Sequence, residues 1–213
     1  MVDPDAMFVT LKNEIDVLRA RYVGRYIPAD PEEGPDVFGY DVKAFSLMAH
    51  AAFEEFAESI SEFLMTSIVN NIVSQRVTVA TACFLMAYGQ RIDIIERENE
   101  KQDSCFTFVR KGLDEAKKSH STVLMNNHGF SLMYLRRILT PVGVNISDGP
   151  ELDSLRTLAD ARGTFAHTMA RSAQYGDYKA IHKVLTPEKA SDAVKDCLDI
   201  CERIRDQANA LIL

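Results

Sequence analysis

The stretch VKAFSLMAHAAFEEFAESISEFL, residues 42–64, decides the fold class. Val42, Phe45, Ala49, Ala52, Phe53, Phe56, Ile60, Phe63 and Leu64 fall on one face when the chain turns 100° per residue, and the stripe holds for roughly six turns. Glu55, Glu58 and Glu62 mark the opposite, acidic face. A sheet strand would alternate with period two, and this segment does not. Its spacing predicts one helix of about thirty residues, and a helix of that length with an unbroken apolar stripe is a core or dimer element.

Working outward, Phe8, Leu11, Ile15, Leu18 and Tyr22 predict a helix over 5–23. YIPADPEEGPDVFGY (26–40) holds three prolines and two glycines and reads as a loop. A short helix is expected over 77–88, and the charged run ERENEKQDS (96–104) belongs to a helix or a linker. Residues 104–120 read as a helix with Phe108, Leu113 and Ala116 inward. In NNHGFS (126–131) Gly129 is expected to end one element and Ser131 to cap the next, a short helix from Leu132 to Leu139 closed by Thr140–Pro141. DGPELDSL (148–155) opens a helix reaching about residue 170, with Asp148 as N-cap, Glu151 three residues on and Pro150 in the first turn. A last helix starts at Thr186–Pro187 and sets Val194, Leu198, Cys201, Ile204, Ala208 and Leu211 on one face over 186–213. No repeat, low-complexity tract or strand is evident. The expectation is a single all-α domain over 1–213, a helical bundle built on a long antiparallel helix pair.

Composition narrows the function classes. A chain of 213 residues with 46% hydrophobic and 26% charged residues has the make-up of one globular domain, and only 10 glycines and 7 prolines argue against a turn-rich β protein. The net charge of −7 disfavours non-specific nucleic-acid binding, so any polynucleotide contact needs a local basic patch. Arg110/Lys111, Lys117/Lys118 and Arg136/Arg137 are the candidates, although such pairs commonly serve as solvated faces. The four cysteines form no CxxC pair; Cys197 and Cys201, one helical turn apart, read as small buried hydrophobes in a reducing compartment. MVDPDAMFVT carries no signal-peptide features, and the apolar run VTVATACFLMAY (77–88) is too short to span a bilayer. A cytoplasmic location without membrane association is expected. No metal site is expected either, since His50, His120, His128 and His182 lack ligand-type spacing.

One residue breaks the pattern. In DARGTFAHTMAR (160–171) Arg162 falls among Leu155, Leu158, Phe165 and Met169, where a guanidinium requires a partner. His167 lies about 140° around the same helix and roughly 7.5 Å along it, so an ideal helix does not aim the two at one atom. On spacing alone, a buried ion pair and a solvated histidine account for them.

The wider context is more specific. Asn127-His128-Gly129, then Pro141-Val142-Gly143-Val144, then Arg162-Gly163 with Ala166-His167-Thr168 resemble the HEPN superfamily, and within it the RiboL-PSP-HEPN branch. FSLMAHAAFEEFAESI (45–60) is similar to the first long helix of that family, with Glu54 two residues before Phe56 as its glutamate. The likeness covers about 40–170. It implies a metal-independent endoribonuclease without cofactor that acts on RNA as a homodimer, its composite site lying at the cleft between subunits. By the same resemblance Arg162 and His167 are catalytic, Glu54 holds the arginine in register, and Gly163 and Thr168 complete the signature. His128 and Asn127 become possible RNA contacts, with a purely structural turn as their plainer role. A role in defence or toxin-type RNA restriction, with an antitoxin or defence-system partner protein, would follow. The alternative is a non-catalytic helical dimer module that binds RNA, a nucleotide or a protein.

Overall fold

A computed structural model describes residues 2–28, 30, 32–74, 76–89, 105–162 and 185–212, with side chains given for all of these except 105–108. Among the described residues there are seven α-helices and no strand: α1 (Pro4–Tyr22), α2 (Pro35–Val73), α3 (Val79–Ala87), α4 (Cys105–Met125), α5 (Leu132–Leu139), α6 (over 151–162) and α7 (Pro187–Ile212). The all-α expectation holds. No helix among the described residues is long and apolar enough to cross a membrane.

The 39-residue α2 is the spine. It packs against α1, α3, α4, α5 and α7. Phe45, Phe53 and Ile60 on its apolar stripe are fully buried. The stripe continues past Leu64 through Ile68 and Ile72, which carries the helix to Val73. Its start corrects the expectation of a loop over 26–40. Gly34 is the N-cap and Pro35 occupies the first turn, where a missing N–H costs no hydrogen bond and a fixed φ suits the helix. That proline opens the helix instead of barring it. The preceding segment turns back through Tyr26, whose hydroxyl donates to Asp41 Oδ2 at 2.8 Å.

Capping accounts for the other boundaries. Asp3 accepts from the Ala6 N–H at 2.8 Å and Pro4 sits in the first turn of α1. Thr78 and Thr81 form a reciprocal capping box on α3. The Thr186 hydroxyl accepts from the Lys189 N–H at the head of α7. Helix α4 runs five residues further than the periodicity indicates and stops at Met125, so Gly129 does not end it. Ser131 holds the N-cap position of α5 but makes no side-chain cap bond. At its far end, the Gly143 N–H bonds the Thr140 carbonyl at 3.0 Å and the Val144 N–H bonds the Leu139 carbonyl at 3.1 Å. This paired closure needs a left-handed residue, and Gly143 supplies it with φ of 93°. A Cβ there would also press within 3.5 Å of Leu211 and Ala80, so the Pro-Val-Gly-Val turn seats against α7 and α3.

Asp148 does not cap α6. Its carboxylate accepts from Arg136 at 2.8 Å, and Glu151 pairs with Arg203 of α7. The first turn of α6 closes through backbone carbonyls of Gly149 and Pro150 instead. Cys197 and Cys201 are fully buried in α7, where burial pushes both thiols well above their ordinary pKa.

A buried polar chain joins α2 to α4, α5 and Tyr88 at the end of α3. The Ile138 carbonyl is an acceptor only, so the Ser61 hydroxyl donates to it, at 2.6 Å. Ser61 Oγ lies 2.9 Å from His120 Nε2 and therefore receives that N–H, which leaves Nδ1 to accept from the Tyr88 hydroxyl at 2.5 Å. All donors point one way, and burial holds His120 neutral with a pKa near 4.

Core packing around α2 sets the stability. Phe53 is fully buried and stacks on Phe130 with ring centroids 5.2 Å apart. Phe53→Ala is expected to cost ~3–5 kcal/mol by urea denaturation; a loss under about 1 kcal/mol would show that this stack is peripheral.

Candidate functional site

Helix α2 presents His50, Glu54 and Glu58 at successive i,i+4 positions, hence along one edge of the helix. His50 is buried, while Glu54 and Glu58 are partly exposed. Facing them is the non-helical turn 127–130 between α4 and α5. The Asn127 N–H still bonds the Leu124 carbonyl of α4 at 3.0 Å, whereas the buried Phe130 N–H takes its partner from a side chain of α2. The Phe130 N–H donates to His50 Nε2 at 3.1 Å, and the Phe130 ring lies against both Phe53 and His50. At the other end of the turn Asn127 Nδ2 donates to Glu58 Oε1 at 2.7 Å. The turn is thus fastened to α2 at three levels, 50, 53 and 58.

Helix α6 brings in the arginine. Arg162 Nη1 donates to the His128 carbonyl at 2.9 Å. Among the described residues, the hydrogen-bond partner of this guanidinium is a backbone oxygen set by the turn, not the Glu54 carboxylate. Glu54 is still close enough for its charge to be felt. Burial and the neighbouring Glu58 raise its pKa, while Arg162 and His128 pull it down, with the raising influences ahead.

His50 fixes its own tautomer. Nε2 accepts from an amide, so the ring proton sits on Nδ1, which faces Glu54 Oε2 across 3.8 Å. Burial, reinforced by the positive charge of Arg162, lowers the His50 pKa from 6.5 to about 4. The ring is neutral at physiological pH and able to keep its acceptor role.

Of the residues singled out from the sequence, Arg162, Glu54, Asn127 and His128 come together here from three separate segments. His128 is exposed beside the guanidinium, and Asn127 is buried. Gly163, His167 and Thr168 lie outside the described residues, as do Phe165, Met169, His182, the run 96–104 and the side chain of Phe108. His50 and Glu58 are the members that sequence reading missed. The available signal was a histidine among the small apolar residues of the α2 stripe with carboxylates one and two turns on, a pattern that calls for a buried acceptor and a polar edge. Among the basic pairs, Arg136 is committed to the Ile146 carbonyl and Asp148. Asn127 Oδ1 is buried and has no hydrogen-bond partner among the described residues. No three His, Cys, Asp or Glu side chains among those residues gather closely enough to hold a metal ion.

Comparison with family models, curated proteins and solved structures finds no match for this chain.

The neutral state of His50 has a measurable consequence. Its imidazole binds a proton at 6.5 when unfolded but only at about 4 when folded, so below 6.5 the unfolded state takes up more protons. Stability therefore falls as pH drops through this window, with a slope approaching about 1.4 kcal/mol per unit from this residue. The raised pKa of Glu54 acts in the opposite sense. His50→Gln keeps an acceptor for the Phe130 N–H and removes the titration. Urea midpoints between pH 6.5 and 5 are expected to vary less steeply in the variant than in the parent protein; parallel profiles would exclude a buried neutral imidazole.

Proposed function

We propose that the chain is a metal-independent endoribonuclease of HEPN type, a bundle on a long antiparallel helix pair that acts on RNA as a homodimer. The observation that supports this most is the meeting of Arg162, Glu54 and the Asn127-His128-Gly129 turn at one place, although they are far apart in the chain. A bundle does not need this. Three polar segments that converge at a partly exposed edge suit a phosphate site.

RNA carries its own nucleophile. The 2′-oxygen attacks the adjacent phosphorus, the bond from phosphorus to O5′ breaks, and a 2′,3′-cyclic phosphate and a 5′-hydroxyl result. One group must take the 2′-hydroxyl proton and another must deliver a proton to O5′. In this proposal His167 fills these roles, one from each copy of the dimer, since an imidazole can both take and give a proton near neutral pH. Arg162 stabilises the charge on the phosphorane. Its tie to the His128 carbonyl orients the guanidinium without neutralising it, which leaves its charge for a phosphate.

The carboxylates beside Arg162 and the net charge of −7 favour a second reading, a non-catalytic helical module. Cleavage of a labelled RNA by the purified full chain separates the two. Arg162→Ala and His167→Ala are each expected to slow cleavage by about 10²-fold or more with unchanged helicity, and Arg162→Lys should restore little. A strand with 2′-deoxyribose at the cleaved position should resist, and EDTA should have no effect. Cleavage of the deoxy strand or inhibition by EDTA would overturn the mechanism; binding without any cleavage would leave the module.

A further inference from the structure

We propose that the groove along α2, between α1 and α4, is a docking site for a basic amphipathic helix of a partner protein. Two cavities, of about 350 Å³ beside α4 and 320 Å³ beside α1, share Glu55 and Ser59, so they adjoin along the outer face of α2 and make one trough between α1 and α4. On α2 it runs from Ala52 to Met65, about 20 Å at the helical rise, the length of three to four turns of a second helix. Apolar side chains line it from the flanking helices, Met7 and Leu11 of α1 and Leu124 and Met125 of α4, above the nearly closed Phe56 and Met65. Its outer lining is acidic: Glu14 of α1 and Glu55, Glu58 and Glu62 of α2 line it, and among the described residues no lysine or arginine lines either cavity.

Charge selects the occupant. A polynucleotide would bring phosphates against these four carboxylates. A second copy of this chain, meeting the groove across a two-fold axis, would set the same glutamates against each other. An amphipathic helix satisfies both surfaces, its lysines or arginines on the glutamates along α2 and its apolar side chains on those of α1 and α4. Met125, 75% exposed at the α4 end, adds an adaptable apolar contact. The groove shares Glu58 with the site around Arg162, but Glu14, Glu55 and Glu62 take no part in that site, so variants at these three test the groove independently of the nuclease proposal.

The test uses the full chain and a fluorescein-labelled Leu/Lys amphipathic peptide of about fifteen residues, followed by anisotropy. Saturable binding that weakens with salt is expected. Glu55→Lys with Glu62→Lys should weaken it more than about tenfold, because two attractive pairs become repulsive. Asp153→Lys with Asp199→Lys, exposed on α6 and α7, changes the net charge equally and should shift binding less than about twofold. Ser59→Trp, which fills the groove without changing charge, should also weaken binding. Circular dichroism checks that each variant is folded. The proposal is overturned if binding does not saturate, if both charge-reversed pairs weaken it alike, if a Leu/Glu peptide binds as well, or if the Glu55/Glu62 pair splits a homodimer seated on the groove.

Discussion

The hydrogen bond from the Phe130 amide to His50 Nε2 is the constraint on which the site depends. The Phe130 N–H is buried in a turn that belongs to no helix, and an unpaired buried amide costs about 1–3 kcal/mol. Only an unprotonated ring nitrogen can accept it. Burial of His50 guarantees that state by making the imidazolium unfavourable. The same bond fixes where the Phe130 ring enters the core, and so how the His128 carbonyl faces Arg162. One neutral histidine thus connects core packing to the placement of a cation more than a hundred residues away in the chain.

The buried relay at His120 follows the same logic in a different place. Helix ends leave carbonyls without partners, and the Ile138 carbonyl near the end of α5 is taken by Ser61 from α2. Ser61 then has an open acceptor, His120 fills it, and Tyr88 fills the remaining ring nitrogen. In both places a side chain of α2, His50 or Ser61, satisfies a backbone group outside α2. This explains how so long an apolar helix carries His50 and Ser61 on its buried face without a net polar penalty.

Much of the fold was legible because it rests on periodicity and caps. The stripe through Phe45, Phe53 and Ile60, the Thr186–Pro187 start and the Leu132–Leu139 segment all depend on neighbours within a few residues. What was not legible depends on distant partners. Pro35 reads equally as a breaker or as a first-turn residue, and only the packing of the turns after it decides. Asp148 carries the right spacing for a cap, yet Arg136 competes for its carboxylate and wins. At the site, Arg162 announced itself as an anomaly in an apolar stripe. Its acceptor, a backbone carbonyl, leaves no trace in side-chain identity. His50 was hidden for a related reason: a buried acceptor for an amide looks in the sequence like any other histidine on a helix.

The choice of acceptor for Arg162 bears directly on what the site can do. A carboxylate in direct contact would neutralise the guanidinium and have to be displaced by any incoming anion. A carbonyl carries only a dipole, takes one of five N–H donors and leaves the formal charge intact. Burial and the neighbouring Glu58 raise the Glu54 pKa while Arg162 draws it down, so Glu54 and Arg162 interact through space without a direct contact. Asn127 engages the Glu58 oxygen. Among the described residues the guanidinium is thus oriented by a dipole and makes no direct ion pair, which is the electrostatic condition that the proposed phosphate site requires.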